Sequence, residues 1–401
     1  MTRLLADSRI LIADDQEDVA RTLCNPLRRA QARLHFVAHG EAALDLLSSH
    51  PFDLILVDMK MPPGEWGGLW LLQQLQAANF RTPILVLSGE GAKQQVIQAM
   101  RLGATDWVDK VDASHELVNR TTAILTDHHR EALTVGSERL PLPVASRLAR
   151  YIRTTDPDKQ LNEGLRTLEA VLRFGAVIGI ASTEPFILPG ITIDRLAAPS
   201  MGTWLAICTA LANNSTTSDY FKRLFSYLAP DPQGRKIVQE FIAIRNQIAH
   251  GDNVASSEDR GRLDALLRRF SHRANSYGIG ELSVPTSMTY DGERYAVNVR
   301  VFRGTGNPTP ASVSVSTPPV DGSVLLLNKD AEPLPLNPLM TSVTPESSDA
   351  TKIFQFDGLR RVKGELGPIS PLRLLPIQLG DGCHAEVAPN LTWPTIINWV
   401  N

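Results

Sequence analysis

The sequence predicts a multidomain protein: an α/β doubly wound domain with a five-stranded parallel sheet, then an all-α helical bundle, then a small antiparallel β domain. In residues 1–127, short apolar runs alternate with helical patterns, which is typical of a parallel sheet with helices on both faces. Residues 144–278 carry helical periodicity, and residues 279–401 return to short strands separated by turn residues. Residues 128–143 are polar and bounded by proline, and we predict a linker there.

The composition is that of an ordinary soluble protein. The chain has 401 residues, of which 43% are hydrophobic and 21% charged, which is enough material for two or three domains. No apolar stretch approaches the length of a membrane span, and the first residues do not resemble a signal peptide. The cysteines Cys24, Cys208 and Cys383 are too scattered for a disulfide framework. We therefore expect a reduced, cytoplasmic protein with no membrane partner.

The net charge of −3 hides one basic block. Residues 128–275 contain 19 basic and 15 acidic side chains, whereas the regions on either side carry more acidic than basic residues. This excess is compatible with an anionic partner such as RNA, but it does not demand one. An arginine-rich, solvated helix surface is the simpler explanation.

Five strands, each followed by a helix, are predicted in the first domain. Apolar, β-favouring residues form strands at 9–13, 33–37, 54–58, 83–88 and 105–109. Helical periodicity occupies the segments after them, at 19–27, 40–47, 69–75, 92–102 and 114–127. The third strand has four apolar residues in a row, so we expect it to be buried on both faces. It ends on a carboxylate, Asp58.

Polar side chains stand where four of these strands end. Asp14 and Asp15 follow the first strand. The third and fourth strands end on Asp58 and Ser88, and Lys110 follows the fifth. Because the carboxyl ends of parallel strands share one edge of the sheet, we expect all five side chains to converge. Any one acid is also explained as a solvated residue at a strand end, but five suitable residues on four strands are hard to attribute to chance.

The chemistry of this set favours phosphoryl transfer. Three clustered carboxylates repel one another unless a cation joins them, and hard oxygen ligands suit Mg²⁺. Ser88 offers a hydroxyl and Lys110 a compact positive charge, both suited to phosphoryl oxygens. A metal beside Asp58 would neutralise charge during transfer. Asp58 is therefore predicted to be the nucleophile that forms an aspartyl phosphate.

Five short motifs occur in order along residues 1–127: Ala13-Asp14-Asp15, Val57-Asp58-Met59-Lys60-Met61-Pro62, Leu87-Ser88-Gly89, Gly103-Ala104 and Asp109-Lys110. With these motifs, the segment closely resembles the receiver domain of two-component response regulators. The resemblance implies that Asp58 accepts phosphate from a histidine kinase or phosphotransfer protein. It also implies that Ser88 and Lys110 hold the phosphoryl group. The implied Mg²⁺ ligands are Asp14, Asp15, Asp58 and the backbone carbonyl of Lys60.

Three features differ from the usual pattern of that family. Trp107 stands where the family usually carries a switch Tyr or Phe, so Ser88 and Trp107 are the predicted switch residues. Lys110 is followed by Val111 instead of the usual proline. The loop after the third strand is longer than usual and carries Trp66, which we expect to be exposed. None of these differences removes a chemical group from the predicted site.

The middle of the chain is predicted to be a helical bundle. Adjacent His128 and His129, in the predicted linker, are typical of a frayed helix end. Asp156 and Pro157 are a suitable N-cap and first residue for a long helix. The predicted bundle helices span 144–153, 157–176, 201–211, 218–228, 233–250 and 258–277.

One bundle helix ends on a polar motif that contains Arg245, Asn246 and His250. Asn246 and His250 are four residues apart and share a face, whereas Arg245 points to another side of an ideal helix. A purely structural explanation is available, because a histidine near a helix C-terminus interacts favourably with the helix dipole and Gly251 is a natural residue after the helix end.

The same motif, Arg-Asn-x-x-Ala-His at the end of a bundle helix, resembles that of HEPN domains (higher eukaryotes and prokaryotes nucleotide-binding). Many members of that family are metal-independent ribonucleases in which two protomers complete one cleft. The resemblance implies that His250 acts as general acid or base, that Arg245 contacts the phosphate, and that Asn246 orients the substrate. Similar bundles also serve as interaction modules without catalysis.

Residues 279–401 are predicted to form antiparallel hairpins. Turn signals stand at Asp291-Gly292, Lys329-Asp330 and Asp357-Gly358, each beside strand-like residues. Cys383 and His384 are the metal-like pair of this region, and without further ligands we interpret them as structural. A protein-binding role is the default expectation.

Two hypotheses for the whole chain follow. In the first, it is a response regulator whose phosphorylation controls a HEPN-like ribonuclease, with RNA as the substrate. In the second, the bundle and the β domain form a phosphorylation-gated interaction module with no catalytic output. Receivers commonly dimerise through the surface that corresponds to residues 92–127, so a phosphorylation-dependent homodimer is also predicted.

Overall fold

The computed structural model describes residues 5–89, 93–250, 256–328, 331–344, 351–377 and 391–400. The chain divides into two compact units. Unit 1 comprises Met1–Leu133 and Ala265–Gly278, and unit 2 comprises Thr134–Asp264 and Ile279–Asn401. Within the described ranges, no helix combines the length and the apolar composition needed to cross a bilayer.

Unit 1 alternates strands and helices as predicted, except that two short helices replace the single helix predicted after the first strand. Its strands are β1 (Arg9–Ala13), β2 (Arg33–Val37), β3 (Leu54–Asp58), β4 (Ile84–Ser88) and β5 (Asp106–Asp109). Its helices are α1 (Glu17–Leu23), α2 (Asn25–Arg29), α3 (Gly40–Ser49), α4 (Gly67–Ala77), α5 (Lys93–Arg101) and the start of α6 (Ala113–Arg139).

The five strands form one parallel sheet in the order β2-β1-β3-β4-β5. Every residue of β1 and β3 is buried. Alternate residues of β3 contribute to two cores, with Leu54 and Leu56 in one and Ile55 and Val57 in the other. Apolar layers therefore lie on both faces, and the predicted doubly wound five-stranded sheet is confirmed.

The predicted linker at residues 128–143 is wrong for most of its length. Helix α6 continues without a break to Arg139, and the next helix, α7, begins at Leu142. The reason is that the buried face of α6 continues beyond the expected end through Leu125, His129 and Ala132, which are spaced four and three residues apart. His129 is 2% exposed, so the prediction of a frayed end there is also wrong.

The last fourteen residues of the predicted bundle belong to unit 1. Helix α13 (Ser257–Tyr277) contributes Ala265–Gly278 to that unit. Buried apolar residues, among them Leu267 and Phe270, line this segment. Arg273 in the same segment forms a buried ion pair with Asp53, directly before β3. The compact units thus follow a division different from the predicted boundaries.

Helices dominate the first part of unit 2. The predicted N-cap of the long helix is confirmed, because the Asp156 side chain accepts a hydrogen bond from the Lys159 backbone N–H at 2.9 Å. Besides the end of α6 and the beginning of α13, the helices are α7 (Leu142–Arg153), α8 (Pro157–Ala181), α9 (Ile193–Ala197), α10 (Met201–Asn213), α11 (Asp219–Leu228) and α12 (Pro232–His250).

Two antiparallel sheets and a 3-10 helix (Pro394–Asn398) are the described elements in the rest of unit 2. One has the order β10-β9-β6-β7-β8 and the other the order β11-β12-β13. The strands are β6 (Glu281–Tyr290), β7 (Tyr295–Phe302), β8 (Thr309–Val315), β9 (Leu325–Leu327), β10 (Leu334–Pro335), β11 (Met340–Val343), β12 (Lys352–Leu359) and β13 (Leu372–Pro376).

The three predicted hairpin turns have different outcomes. The turn at Asp291-Gly292 is confirmed, because β6 and β7 pair across it with Tyr290 opposite Tyr295. Strands β9 and β10 pair as predicted, and the turn residues 329–330 lie outside the described residues. So do Cys383 and His384.

The third predicted turn, at Asp357-Gly358, is wrong because β12 runs straight through it. The pairing with β13 shifts register at this point, as in a β-bulge. Gly358 has φ +140°, and a Cβ there would lie 2.3 Å from the Ala197 carbonyl oxygen. The glycine therefore permits a close backbone approach within a strand.

Candidate functional site

The sheet of unit 1 brings two acidic strand ends side by side. Strands β1 and β3 are parallel neighbours, with Ile10 paired to Leu54 and Ala13 paired to Val57. Asp14 follows β1, and Asp58 is the last residue of β3. The register of the two strands therefore places both carboxylates at the same edge of the sheet, as the sequence predicts.

Three carboxylates meet at this edge. Oxygen atoms of Asp14, Asp15 and Asp58 all lie within 4.8 Å of one another. The Asp14 and Asp58 side chains are 0% and 4% exposed, whereas Asp15 faces solvent. Two buried carboxylates beside an exposed one form a set of hard oxygen donors open to water on one side, which is suited to a hydrated divalent cation.

Lys110 bridges the two buried carboxylates. Its Nζ donates a hydrogen bond to Asp14 Oδ2 at 2.9 Å and lies 3.1 Å from Asp58 Oδ2. The second oxygen of Asp14 accepts a hydrogen bond from the Gln16 backbone N–H at 2.9 Å. The lysine ammonium reduces the repulsion between the two carboxylates and fixes their separation.

The ionisation of Asp58 and Lys110 reflects this mixed environment. Burial, together with the charge of Asp14, raises the pKa of Asp58 above its ordinary value, although Lys110 acts in the opposite direction. Burial alone would lower the pKa of Lys110, but its hydrogen bonds and ion pairs with Asp14 and Asp58 raise it. Lys110 is thus charged at neutral pH, and Asp58 lies in a site that disfavours uncompensated negative charge.

Two glycines that the motif reasoning did not single out hold the loop after Asp58 against the start of α4. The Gly67 backbone N–H donates to the Met61 carbonyl oxygen at 2.7 Å. A Cβ on Gly67 would lie 2.2 Å from that oxygen, and a Cβ on Gly68 would lie 2.4 Å from the Asp58 carbonyl oxygen. The signal in the sequence is the pair Gly67-Gly68, the first two residues of α4, where the backbones approach closely.

Four other residues of unit 1 were singled out in the sequence, and the structure places them as follows. Ser88 ends β4, but its side chain lies outside the described part of the structure. A backbone hydrogen bond from Lys60 favours the ionised form of Asp58. Trp107 lies in β5 and is 44% exposed. Trp66 is half-buried against the core instead of fully exposed, because it packs at the first turn of α4.

The polar motif of the bundle lies at the end of α12, in unit 2. Arg245 Nη2 forms an ion pair with Glu169 Oε2 on α8 at 3.3 Å. Asn246 lines a cavity of about 710 Å³ whose walls include residues of α10 and α12, such as Leu205 and Gln239. His250 is exposed at the last position of α12. In the part of the chain that the structure describes, Arg245 thus pairs with α8, Asn246 lines the cavity, and His250 is exposed at the end of α12.

Known proteins match the first part of the chain. Residues 10–122 match the family described as the response regulator receiver domain. The cell cycle response regulator CtrA of Brucella ovis is 28% identical over 131 residues, which is 32% of this chain and 56% of that protein. The CtrA proteins of Brucella canis and Brucella suis match equally. The chain thus spans 56% of the length of these curated relatives.

Receiver domains among the solved structures resemble part of this chain. The receiver domain of the Francisella response regulator 1452 is 25% identical and has a TM-score of 0.28, with 30% of this chain and 98% of that chain covered. The receiver domain of NtrX from Brucella abortus is 22% identical with a TM-score of 0.28, over 29% of this chain and 98% of that chain. From the family match, together with the fold and the acidic pocket, residues 10–122 are a response regulator receiver domain.

Proposed function

We propose that this chain is a response regulator that is phosphorylated on Asp58 and controls an output located in unit 2. The observation that carries the proposal is the position of Lys110 Nζ, 2.9 Å from Asp14 and 3.1 Å from Asp58, beside the carboxylate of Asp15. A nucleophilic carboxylate, a fixed positive charge and two further acids supply the groups that aspartyl phosphorylation requires.

The donor set fits Mg²⁺, because three carboxylates with oxygens within 4.8 Å offer hard ligands and leave room for water. The residues that would hold the ion are Asp14, Asp15, Asp58 and the backbone carbonyl of Lys60. When bound, Mg²⁺ neutralises negative charge on the phosphoryl oxygens and on Asp58. This matches the raised pKa of Asp58, which marks a site in need of positive charge.

The side chains divide the remaining work. An Asp58 oxygen forms a bond to phosphorus as the bond from phosphorus to the donor nitrogen breaks, and the electron pair of that bond stays on the nitrogen. The Lys110 ammonium moves from its ion pair with Asp58 to a phosphoryl oxygen. Its hydrogen bond to Asp14 keeps it in place during this change. The Ser88 hydroxyl is proposed to hold a second oxygen. The donor is proposed to be a histidine kinase or a phosphotransfer protein.

Two outputs are proposed for unit 2. The first is a HEPN-like, metal-independent ribonuclease, supported by the exposure of Asn246 and His250, four residues apart on α12. The second is a phosphorylation-gated interaction module, supported by the ion pair between Arg245 and Glu169, which gives the arginine a structural role. In both cases we propose that phosphorylation favours a homodimer.

The test uses the full-length protein with acetyl phosphate and Mg²⁺, followed by intact mass spectrometry. We expect the mass of one phosphoryl group to be added, and we expect Asp58→Asn to prevent the addition. Asp45→Asn is the matched control, since Asp45 is an exposed carboxylate on α3, away from the strand ends. Equal labelling of Asp58→Asn and wild type would exclude Asp58 as the acceptor.

A further inference from the structure

An ion pair between distant parts of the chain is buried in unit 1. Arg273, in α13, donates from Nε to Asp53 Oδ1 at 2.8 Å and from Nη2 to Asp53 Oδ2 at 2.6 Å. The two side chains are 4% and 0% exposed. Although burial would raise it, the Arg273 guanidinium holds the pKa of Asp53 well below its ordinary range. Asp53 is therefore a buried carboxylate that stays charged because Arg273 is present.

Asp53 also joins the beginnings of β1 and β3. Its Oδ2 accepts a hydrogen bond from the Arg9 backbone N–H at 2.8 Å. Its own backbone N–H donates to the Arg9 carbonyl oxygen, also at 2.8 Å. Arg9 is the first residue of β1, and Asp53 directly precedes β3. One side chain thus fixes where the two strands begin relative to each other.

The opposite ends of these two strands form the acidic pocket. Each strand has five residues, all buried, and the strands pair in unbroken register from Ile10–Leu54 to Ala13–Val57. Asp14 follows β1 and Asp58 ends β3, so both pocket carboxylates lie one strand length from the Arg9–Asp53 junction. Since both strands lie in close-packed cores, we expect a displacement at the junction to shift the strand ends at the pocket.

Other residues of α13 hold the segments directly before the two strands. His272 Nε2 lies 3.1 Å from the Asp53 carbonyl oxygen. The Phe52 backbone N–H donates to the Tyr277 hydroxyl at 2.8 Å. Arg269 donates to the Ala6 carbonyl oxygen at 2.8 Å. Residues 265–278 therefore contact the chain before both strands, and Arg273 is at the centre of these contacts.

We propose that Arg273 is a positioning residue for the Asp14–Asp58 pocket, acting through Asp53 on the register and spacing of β1 and β3. The proposal rests on the proposed role of Asp58. Because linkage is reciprocal, cation binding at the pocket also stabilises the packing of residues 265–278 against Asp53. A residue 220 positions away from Asp53 in the sequence thereby becomes part of the receiver site.

The test compares Arg273→Met and Arg273→Lys in the full-length chain with Arg268→Met as the control. Arg268 lies in the same segment, but it donates to the carbonyl oxygens of His129 and Arg130 on α6. Mg²⁺ titration by calorimetry, well below the thermal midpoint, should show a Kd raised about five-fold or more for Arg273→Met. Arg273→Lys keeps the positive charge but loses the paired hydrogen bonds of the guanidinium. Its Kd for Mg²⁺ should therefore lie between those of Arg273→Met and wild type.

A second readout needs neither metal nor phosphate. Hydrogen exchange of the β1 and β3 backbone amides should speed up in Arg273→Met and stay unchanged in Arg268→Met. If wild type fails to accept phosphate on Asp58 while these exchange differences persist, the proposed function fails and the link between Arg273 and the two strands stands. If exchange in β1 and β3 is unaffected by Arg273→Met, the positioning role is excluded whatever Asp58 does.

A double variant separates positioning from simple stability. Asp53→Leu with Arg273→Met replaces the buried pair by apolar side chains, which often restores stability. It does not restore an acceptor for the Arg9 N–H. We expect the double variant to recover its thermal midpoint but to retain weakened Mg²⁺ binding. Recovery of both properties would show that the pair serves stability alone, and it would overturn the proposal.

Discussion

Arg245 on α12 and Glu169 on α8 form an ion pair, with 3.3 Å between Nη2 and Oε2. The Glu169 side chain is 14% exposed and also lies 3.6 Å from Arg173. The arginine of the polar motif is therefore part of a network that joins two bundle helices. His250, in contrast, is exposed at the end of the same helix. The two residues should thus respond differently to substitution.

The first prediction concerns these two residues. Arg245→Met should lower the free energy of unfolding by about 0.5–1 kcal/mol, because it removes a partly exposed ion pair. His250→Ala should leave stability within about 0.5 kcal/mol of wild type. If unit 2 is a ribonuclease, His250→Ala should lose RNA cleavage that persists in EDTA in the wild type. Cleavage that is unchanged in His250→Ala would show that His250 is not the catalytic residue. A wild type without EDTA-resistant cleavage would leave the interaction module as the output.

The second prediction concerns the loop after Asp58. Gly68→Ala would place a Cβ 2.4 Å from the Asp58 carbonyl oxygen, so the backbone must move. We expect a loss of about 1–3 kcal/mol in stability, as for overpacking elsewhere, and slower phosphorylation by acetyl phosphate. Gly261→Ala is the matched control, because nothing lies within 4 Å of its added Cβ. It should be neutral or stabilise α13 by up to about 1 kcal/mol. Equal losses of stability in Gly68→Ala and Gly261→Ala would contradict a close approach between the Gly68 backbone and the Asp58 carbonyl oxygen.

The acidic pocket could be predicted from the sequence because its signals are local. A buried parallel strand reads as a run of apolar residues, and β3 shows this as Leu54 to Val57. The residue after each run is visible directly, so Asp14, Asp58 and Lys110 were identified without the fold. The carboxylates and the lysine then converge by the geometry of any parallel sheet. The structure adds the distances and the bridging role of Lys110.

The contribution of α13 to unit 1 could not be predicted in the same way. Arg273 lies on a helix rich in arginine, where a solvated side chain is the ordinary expectation. Its partner, Asp53, stands in a loop-like position before a strand. Nothing local connects them, and their pairing depends on tertiary packing. The continuation of α6 is hard to predict for a similar reason, since His129 is polar by type but buried by its position on the helix.

The third prediction is a loss of stability of unit 1 in mild acid. Burial lowers the pKa of His129 to about 3 and that of His272 to about 4, from an ordinary 6.5. The groups near them are Asp53, Arg269, Arg273 and His128. The unfolded chain binds protons on both histidines below pH 6.5, whereas the folded chain does not. Stability is therefore lost as the pH falls from 6.5 towards 4.

Each buried histidine should contribute about 1.4 kcal/mol per pH unit once the pH is well below 6.5. Hydrogen exchange of residues 265–278 at pH 7.5, 6 and 5, corrected for intrinsic rates, measures the effect. His129→Leu should flatten the dependence, because both of its ring nitrogens lack a hydrogen-bond partner among the described residues. If the stability measured by hydrogen exchange falls with pH equally in His129→Leu and wild type, His129 is not a source of the acid destabilisation.

The last prediction concerns self-association upon phosphorylation. Large apolar side chains are exposed on α5 and around β5 of unit 1: Ile97, Met100, Trp107 and Val111. Exposed apolar residues grouped in neighbouring elements are candidates for a contact surface, and a two-fold contact would use the same surface on both protomers. Beryllofluoride with Mg²⁺, which mimics an acyl phosphate, should therefore shift the protein from monomer towards dimer in sedimentation velocity.

Two variants make this prediction specific. Asp58→Asn should block the shift, because the mimic binds to the acceptor carboxylate. Ile97→Glu should also block it while leaving phosphorylation by acetyl phosphate intact, since Ile97 is exposed on α5. Val19→Glu is the control, because Val19 is an exposed apolar residue on α1. A protein that is already a tight dimer without the mimic would contradict coupling between Asp58 and association. A protein that stays monomeric with beryllofluoride would contradict the coupling as well. The role of Asp58 as phosphate acceptor would survive either result.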